Sequence, residues 1–164
     1  MNQTILSIGI ILSLNFLACS GQINSNLDTQ KHKSTVNSAV NSPGSYVAIF
    51  EIPATNISRA IKFYQAILDI NIQKIEIPEM QMGLFPSEGQ AVFGVIIEGE
   101  GYTPSPNGVT IYLNAGNDVQ IVLDKIEKNG GKIIVPKTLH ADESGYFALF
   151  LDTEGNRLGL HSPN

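Results

Sequence analysis

Two ionisable side chains alternate with apolar residues in segments that are predicted to be strands. Glu51 lies between Phe50 and Ile52, and His161 follows Leu160. Because successive side chains of a strand point to opposite faces, both polar groups should face away from the core. A carboxylate and an imidazole can act together as a general acid and a general base. Glu51 and His161 are therefore the candidate catalytic residues. The alternative is a local pairing role for Glu51 and a frayed strand end for His161.

Tyr112 and Asn114 add a phenol and an amide to this set. Both share a strand face with Thr110. Such groups orient a bound molecule through hydrogen bonds, and a phenol can also carry a proton. The residue types thus allow either an acid–base site or a site that only binds a ligand.

Composition and motif content exclude several other functions. The 164 residues include 15 acidic and 10 basic ones, without a basic run long enough to follow a phosphate backbone, so nucleic acid is not expected as a partner. The single cysteine excludes an internal disulfide and a cysteine-rich metal cluster. The sequence has no Ser-His-Asp arrangement and no His-x-x-x-His pair. Gly94, Gly99 and Gly101 lack the spacing and the following helix of a nucleotide-binding loop.

The elements that must position these residues fall into two halves with the same order, one strand, one helix and three strands. Strands are predicted at 46–52, 72–77, 81–85 and 91–98 in the first half, and at 109–114, 132–135, 146–151 and 157–161 in the second. Amphipathic helices are predicted at 57–68, after the capping residue Asn56, and at 119–126, ended by Gly130. Residues 152–156 should form a tight hairpin turn, and Phe63 and Tyr64 should belong to the core.

The first 45 residues do not resemble part of a folded domain. Residues 5–18 form an uncharged, mostly apolar run, shorter than the roughly 20 residues that span a bilayer and typical of a secretory signal. The end of this run together with the next residue, Phe-Leu-Ala-Cys at 16–19, resembles a bacterial lipoprotein box, in which Cys19 would carry a lipid. Residues 22–45 are rich in Asn, Ser and Thr and predict a flexible tether. The expected layout is a signal peptide at 1–18, lipidated Cys19 with a linker at 19–45, and one domain at 46–162.

Two motifs within that domain point to a family. Residues 50–64 read Phe-Glu-Ile-Pro-Ala-Thr-Asn-Ile-Ser-Arg-Ala-Ile-Lys-Phe-Tyr, and residues 145–160 read Gly-Tyr-Phe-Ala-Leu-Phe-Leu-Asp-Thr-Glu-Gly-Asn-Arg-Leu-Gly-Leu. In this order and spacing they resemble the first strand and helix and the last hairpin of the vicinal oxygen chelate superfamily, the glyoxalase/bleomycin-resistance/extradiol-dioxygenase group. The resemblance implies an α+β fold in which two βαβββ modules form a curved mixed sheet cup around a small-molecule pocket.

Metal-binding members of that family place one ligand on the first and last strand of each module, where the cation activates the substrate. Carried over onto this sequence, the four positions fall on Ile49, Gly94, Thr110 and Gly159. Divalent transition metals need imidazole, carboxylate or thiolate donors, and Thr110 offers only a weak hydroxyl. The resemblance therefore implies a site without metal or another cofactor, in which the two glycines leave space instead of charge. A glycine inside a strand, as at Gly159, suggests close approach either by a ligand or by a facing strand.

The sequence thus predicts a small-molecule-binding protein that is lipid-anchored in the cell envelope, on the periplasmic side or at the cell surface. The residues expected to contact the small organic ligand are Ile49, Glu51, Gly94, Thr110, Tyr112, Asn114, Gly159 and His161. One alternative is a metal-independent lyase or isomerase, related to lactoylglutathione lyase, that uses Glu51 and His161. Another is a non-catalytic structural protein of the cell envelope. A homodimer is left open, because some family members complete their cups by exchanging halves between subunits.

Overall fold

The computed structural model describes residues 45–164, so the predictions for the signal peptide, for Cys19 and for most of the linker lie outside the described residues. The first half contains β1 (Ile49–Pro53), α1 (Ile57–Leu68), β2 (Gln73–Ile77), β3 (Met80–Leu84) and β4 (Phe93–Gly99). The second half contains β5 (Tyr112–Asn114), α2 (Val119–Ile126), β6 (Lys132–Leu139), β7 (Tyr146–Leu151) and β8 (Arg157–Ser162). No helix of this part of the chain is both long and apolar enough to cross a membrane.

Each half is a βαβββ module built on its own four-stranded sheet. The strand orders are β1-β4-β3-β2 and β5-β8-β7-β6. In each sheet the first and last strands of the module pair in parallel, and the other neighbours pair antiparallel. This repeated topology confirms the expected fold class, an α+β fold of two βαβββ modules with mixed sheets.

The predicted Asn56 cap at the start of α1 and the predicted Gly130 end after α2 are confirmed, and the structure adds a cap at Asp118. The Asn56 side chain accepts a hydrogen bond from the Arg59 N–H at 2.9 Å, which satisfies one free donor at the start of α1. Asp118 caps α2 in the same way by accepting from the Gln120 N–H. After α2 the chain makes one 3₁₀ turn, and Gly130 then adopts a φ of 92°, a left-handed conformation that glycine reaches without strain.

The ends of three strands differ from the predictions because each strand extends only as far as it pairs with a neighbour. β1 begins at Ile49 because its partner β4 begins at Phe93, whose N–H already bonds the Ala48 carbonyl. β5 is limited to three residues instead of six for the same reason, since its pairing with β8 starts at Tyr112. β6 is longer than predicted and continues through Pro136, which an edge strand with register shifts can accommodate.

The two modules share one hydrophobic core. Residues of both sheets and both helices belong to a single buried cluster, and α1 packs against α2. Phe63 and Tyr64 are almost fully buried, as predicted, and the Phe63 ring lies 6.1 Å from the ring of Phe150 in the other module. Apolar burial of this kind is the main favourable contribution to folding.

Asp152, in the turn between β7 and β8, joins the modules through hydrogen bonds. Its carboxylate accepts the Tyr64 O–H at 2.7 Å, the Asn156 side-chain N–H at 2.9 Å and the backbone N–H groups of Glu154 and Asn156 at 2.9 and 2.8 Å. Asn156 also donates to the Pro53 carbonyl at 2.8 Å. Burial, and then the negative charge of Asp152, raise the pKa of Tyr64 well above its ordinary value. The predicted turn therefore also links the β7–β8 hairpin to α1 and β1.

Glu154, in the same turn, makes a second connection to the start of α1. Its carboxylate accepts two hydrogen bonds from the Arg59 guanidinium, at 2.7 and 2.8 Å. It also accepts the Thr55 N–H and O–H, both at 2.9 Å, and the Asn56 N–H at 3.1 Å. Its side chain has no exposed surface. The C-terminal turn thus holds the N-terminus of α1 in place.

Candidate functional site

Two cavities lie along the seam between the modules, where β1 approaches the segment leading into β5. The apolar cavity has a volume of about 590 Å³, and the polar cavity has a volume of about 180 Å³. Val109 and Ile111 line both of them. Each cavity combines side chains of the two modules, so the seam is the candidate functional site.

The apolar cavity lies between the first residues of β1, the end of α1 and strand β5. Its apolar lining consists of Val47, Phe50, Leu68, Ile70, Phe85, Pro86, Val92, Val109, Ile111 and Leu113. Its polar lining consists of Ser45, Gln90, Thr110, Tyr112 and Asn114. Among residues 45–164, no carboxylate, imidazole, ammonium or guanidinium group lines this cavity. The volume falls within the roughly 300–1,000 Å³ typical of small-molecule pockets.

The polar cavity lies at the other end of the seam, beside the second half of β1 and the start of β8. Its polar lining consists of Glu51, Thr103, Ser105, Asn107, Asn156 and Arg157. The Glu51 carboxylate accepts the Tyr102 O–H at 3.3 Å. Loss of hydration, and then the charge of Glu51, raise the pKa of Tyr102 above its ordinary value. The cavity therefore places one negative and one positive side chain among neutral hydrogen-bonding groups.

The structure does not bring the two candidate catalytic residues into one cavity. Glu51 lines the polar cavity, whereas His161 lines neither of the two. The His161 ring lies instead 5.3 Å from the ring of His140, which in turn lies 4.8 Å from the ring of Phe147. Ile49 is 59 % exposed and also lines neither cavity. Of the expected ligand contacts, Thr110, Tyr112 and Asn114 line the apolar cavity.

Gly94 and Gly159 do not leave open space for a ligand; of the two alternatives, it is a residue of a neighbouring strand that approaches each glycine closely. A Cβ atom on Gly94 would lie 2.5 Å from the ring of Phe50, and one on Gly159 would lie 2.3 Å from the ring of Tyr112. Each glycine is therefore covered by an aromatic ring of the neighbouring parallel strand. Gly94 also pairs with Phe50 in the register of β1 and β4, so it shares the face of Phe50 and not, as predicted, that of Ile49.

Equivalent hydrogen bonds identify the true counterpart of Gly159 in the first module. The Ala54 N–H donates to the Ile97 carbonyl, and the Ala115 N–H donates to the His161 carbonyl. Counting back two residues along the last strand of each module then matches Val95 with Gly159. Counting back five residues from the alanines matches Ile49 with Thr110, as the sequence predicts.

The donor set at these positions does not fit a transition-metal ion. Isoleucine, valine and glycine supply no donor, and a neutral threonine hydroxyl is a poor one. Among residues 45–164 no three His, Cys, Asp or Glu side chains come together as a metal site. These four positions therefore do not supply a site for metal-dependent chemistry at the seam.

A substitution at Gly159 tests the role of the ring above it. Gly159→Ala should lower the free energy of unfolding by about 1.5 kcal/mol, because the new methyl group must displace the Tyr112 ring. In a Tyr112→Ala background most of that cost should disappear, so a double-mutant cycle by urea denaturation should show strong coupling. Gly99→Ala is the matched control, since a Cβ there meets only ordinary contacts at 3.5 Å and beyond. If the effects of Gly159→Ala and Tyr112→Ala on the free energy of unfolding were additive, the Tyr112 ring would not be what covers Gly159.

Sequence analysis did not identify Arg157 as a site residue. Its guanidinium reaches the polar cavity from the first residue of β8. Strand alternation could have found it, because Arg157 lies two and four residues before Gly159 and His161 and therefore shares their face.

Comparisons with known proteins agree with this topology. A family model described as the Glyoxalase/Bleomycin resistance protein/Dioxygenase superfamily matches residues 46–160. A glyoxylase-like domain-containing protein from Didymella fabae is 33 % identical over 112 residues, which cover 65 % of this chain and 84 % of the relative.

Solved structures show the same fold at low sequence identity. A glyoxalase/bleomycin resistance protein from Albidiferax ferrireducens T118 is 20 % identical, with a TM-score of 0.58 over 72 % of this chain and 98 % of that one. TnmS3, an antibiotic binding protein from Streptomyces sp. CB03234, is 19 % identical, with a TM-score of 0.58 over 73 % and 97 %. A mutant of glyoxalase I from Zea mays is 20 % identical, with a TM-score of 0.58 over 71 % of this chain but only 45 % of that longer one. This chain belongs to the Glyoxalase/Bleomycin resistance protein/Dioxygenase superfamily.

Proposed function

We propose that this protein binds a small, largely apolar and uncharged organic molecule in the apolar cavity, without a bound metal. The observation that carries the proposal is a cavity of about 590 Å³ whose lining residues, within the described part of the chain, are mainly apolar and include no charged side chain. Burial of apolar ligand surface supplies the affinity. A charged ligand would lose its hydration without gaining a partner of opposite charge.

The polar groups of the cavity give the ligand an orientation. The Tyr112 ring covers Gly159, so its position is fixed by the strand beneath it. The Asn114 side-chain oxygen already accepts the Gly116 N–H at 2.9 Å, which leaves its amide N–H groups to donate. The Phe50 and Phe85 rings contact each other edge to face, with centroids 5.8 Å apart, and form an aromatic wall.

Binding is favoured over the other two functions that the sequence allows. An acid–base lyase or isomerase needs its two proton carriers at one substrate, and Glu51 and His161 line no common cavity among the two at the seam. A purely structural protein would fill the seam with large side chains, whereas an open cavity remains there. TnmS3, which shares the fold, is described as an antibiotic binding protein, and that description supports sequestration of a small molecule.

Filling the cavity should abolish binding. Val47 is 52 % exposed and lines the apolar cavity, so Val47→Trp should occupy it without disturbing the core. We expect at least about a tenfold loss of affinity for the neutral apolar dye N-phenyl-1-naphthylamine, measured by fluorescence titration of the full chain. Ile134→Trp is the matched control, because Ile134 is 45 % exposed and lines neither cavity. Equal dye affinity in both variants would disprove the proposed site.

The proposed absence of a bound metal is tested by a separate measurement. The full chain, purified without chelators, should contain no stoichiometric zinc, nickel, manganese or iron by elemental analysis, because the four strand positions lack adequate donors. One equivalent of any of these metals would refute this part, even if the dye still bound.

We further propose that the protein is attached to the cell envelope through Cys19. The support is the apolar run at 5–18, which ends within a lipoprotein-type Phe-Leu-Ala-Cys segment at 16–19. The wild-type protein should partition into the detergent phase of a Triton X-114 extraction. Cys19→Ala should release the protein into the aqueous phase or leave it unprocessed. Normal processing together with unchanged partitioning of Cys19→Ala would exclude the anchor.

A further inference from the structure

Arg157 brings to the polar cavity a guanidinium group whose hydrogen-bonding capacity is only partly used. Its Nη2 donates to the Thr110 hydroxyl at 3.1 Å and to the Gly108 carbonyl at 3.4 Å. Its Nε is buried and has no hydrogen-bond partner among the described residues. Within residues 45–164, no carboxylate lies within ion-pair distance of Arg157. A buried donor without a partner is unfavourable, so this guanidinium should gain from a group that enters the cavity.

Glu51 contributes the opposite charge to the same cavity. Its carboxylate accepts one long hydrogen bond, from the Tyr102 O–H at 3.3 Å. It forms no ion pair with any basic side chain of the described part of the chain, Arg157 included. The two charges therefore line one small cavity without neutralising each other.

Asn156, a neutral polar residue of the same cavity lining, is held in place by hydrogen bonds. The Asn156 side chain accepts the Ser105 N–H at 3.1 Å and donates to the Pro53 carbonyl and to Asp152, so three contacts fix its position. Thr103, Ser105 and Asn107 add neutral groups along the connecting segment. Because Asn156 precedes Arg157, the hydrogen bonds that join the modules also position the guanidinium.

We propose that the polar cavity binds a small zwitterion of the free α-amino acid class, with its carboxylate on Arg157 and its ammonium group near Glu51. A simple anion would be repelled by Glu51, and a simple cation by Arg157; a molecule with both charges is attracted by both. A carboxylate can accept charge-assisted hydrogen bonds from the donors of the guanidinium that Thr110 and Gly108 do not occupy, the Nε–H among them. The volume of about 180 Å³ limits the ligand to a small amino acid. This site is distinct from the apolar cavity, with which it shares only Val109 and Ile111.

The test uses the full chain and three related probes, L-alanine, N-acetyl-L-alanine and L-alaninamide, titrated by ligand-observed NMR. L-Alanine should bind about tenfold more tightly than either analogue, because each analogue lacks one charge. Glu51→Gln should remove the preference over N-acetyl-L-alanine only. Arg157→Gln should remove the preference over L-alaninamide only. Glu100→Gln, an exposed acidic residue outside the cavity, should behave like the wild type.

Two outcomes would overturn the proposal. One is the absence of L-alanine binding at about 10 mM in a protein that circular dichroism shows to be folded. The other is binding that neither the Glu51 nor the Arg157 variant changes. Arg157→Lys is a second variant in case Arg157→Gln does not fold. It keeps the positive charge but loses the guanidinium donors, so it should bind L-alanine more weakly than the wild type does. N-phenyl-1-naphthylamine binding to the same samples reports on the apolar cavity independently, so failure of this site is distinguishable from failure of the proposed function.

Discussion

Asp152→Ala is expected to lower the free energy of unfolding by about 4 kcal/mol, because it leaves several buried donors without an acceptor. The carboxylate accepts hydrogen bonds from Tyr64, from the Asn156 side chain and from the backbone N–H groups of Glu154 and Asn156. The Tyr64 residue is fully buried, and Asp152 itself is only 4 % exposed, so water cannot replace the lost acceptor. Urea denaturation followed by circular dichroism measures the change.

Two further variants separate this effect from a general effect of losing an aspartate. Tyr64→Phe removes one of the donors and should cost about 1.5 kcal/mol. Asp142→Ala removes an exposed aspartate that also accepts a backbone N–H, that of Ser144, in a hairpin loop. It should leave the unfolding transition unchanged. If Asp152→Ala lowered the free energy of unfolding no more than Asp142→Ala does, the contacts of Asp152 would not stabilise the packing of the two modules.

These contacts give a physical meaning to the two motifs that identified the family. Tyr64 and Arg59 belong to the first motif, and Asp152 and Glu154 belong to the second. In the structure Tyr64 bonds Asp152, and Arg59 bonds Glu154. Each motif is thus the binding partner of the other. The contacts between the two motifs join the modules, which is why the resemblance predicts the fold well but does not identify a reaction.

The parts of the fold that depend on near neighbours could be predicted from the sequence. Asn56 caps α1 through a residue three positions away, and Gly130 ends the helical segment through its own φ. The Asp152–Asn156 turn closes by a backbone hydrogen bond between those same two residues. The apolar periodicity of α1 buries the residues that it predicts, Phe63 and Tyr64 among them. Such signals lie within a few residues, so one sequence carries them.

The parts that failed depend on residues distant in sequence. The space above Gly159 is filled by Tyr112, 47 positions earlier, and no local pattern shows that a ring lies there. The separation of Glu51 from His161 depends on how two modules pack at the seam. The predicted strand phase at Gly94 was wrong because the true register is set by pairing with β1. Cavities likewise arise between elements, so neither of the two could be predicted from the sequence.

Glu154 provides the second large expected effect, which depends on pH. Glu154→Gln should lower the free energy of unfolding at pH 7 by about 3 kcal/mol, because the neutral amide replaces a carboxylate that accepts two hydrogen bonds from Arg59 and three from Thr55 and Asn56. The carboxylate also lies at the N-terminus of α1, where the helix dipole favours negative charge. Glu76→Gln is the matched control, because Glu76 forms an exposed pair with Lys74 and should matter little.

The difference between wild type and Glu154→Gln should shrink on acidification. Burial alone would raise the pKa of Glu154, but the hydrogen bonds from Arg59, Thr55 and Asn56 outweigh burial and hold that pKa below its ordinary value of 4.5. A carboxylate with a lowered pKa in the folded state stabilises the fold fully above the unfolded-state pKa, and this contribution is lost as the pH falls through the folded-state pKa. Wild type should therefore lose stability relative to the variant below about pH 4.5, measured by urea denaturation at several pH values. A difference that stayed constant from pH 7 to pH 3 would mean that the charge of Glu154 does not hold the turn to α1.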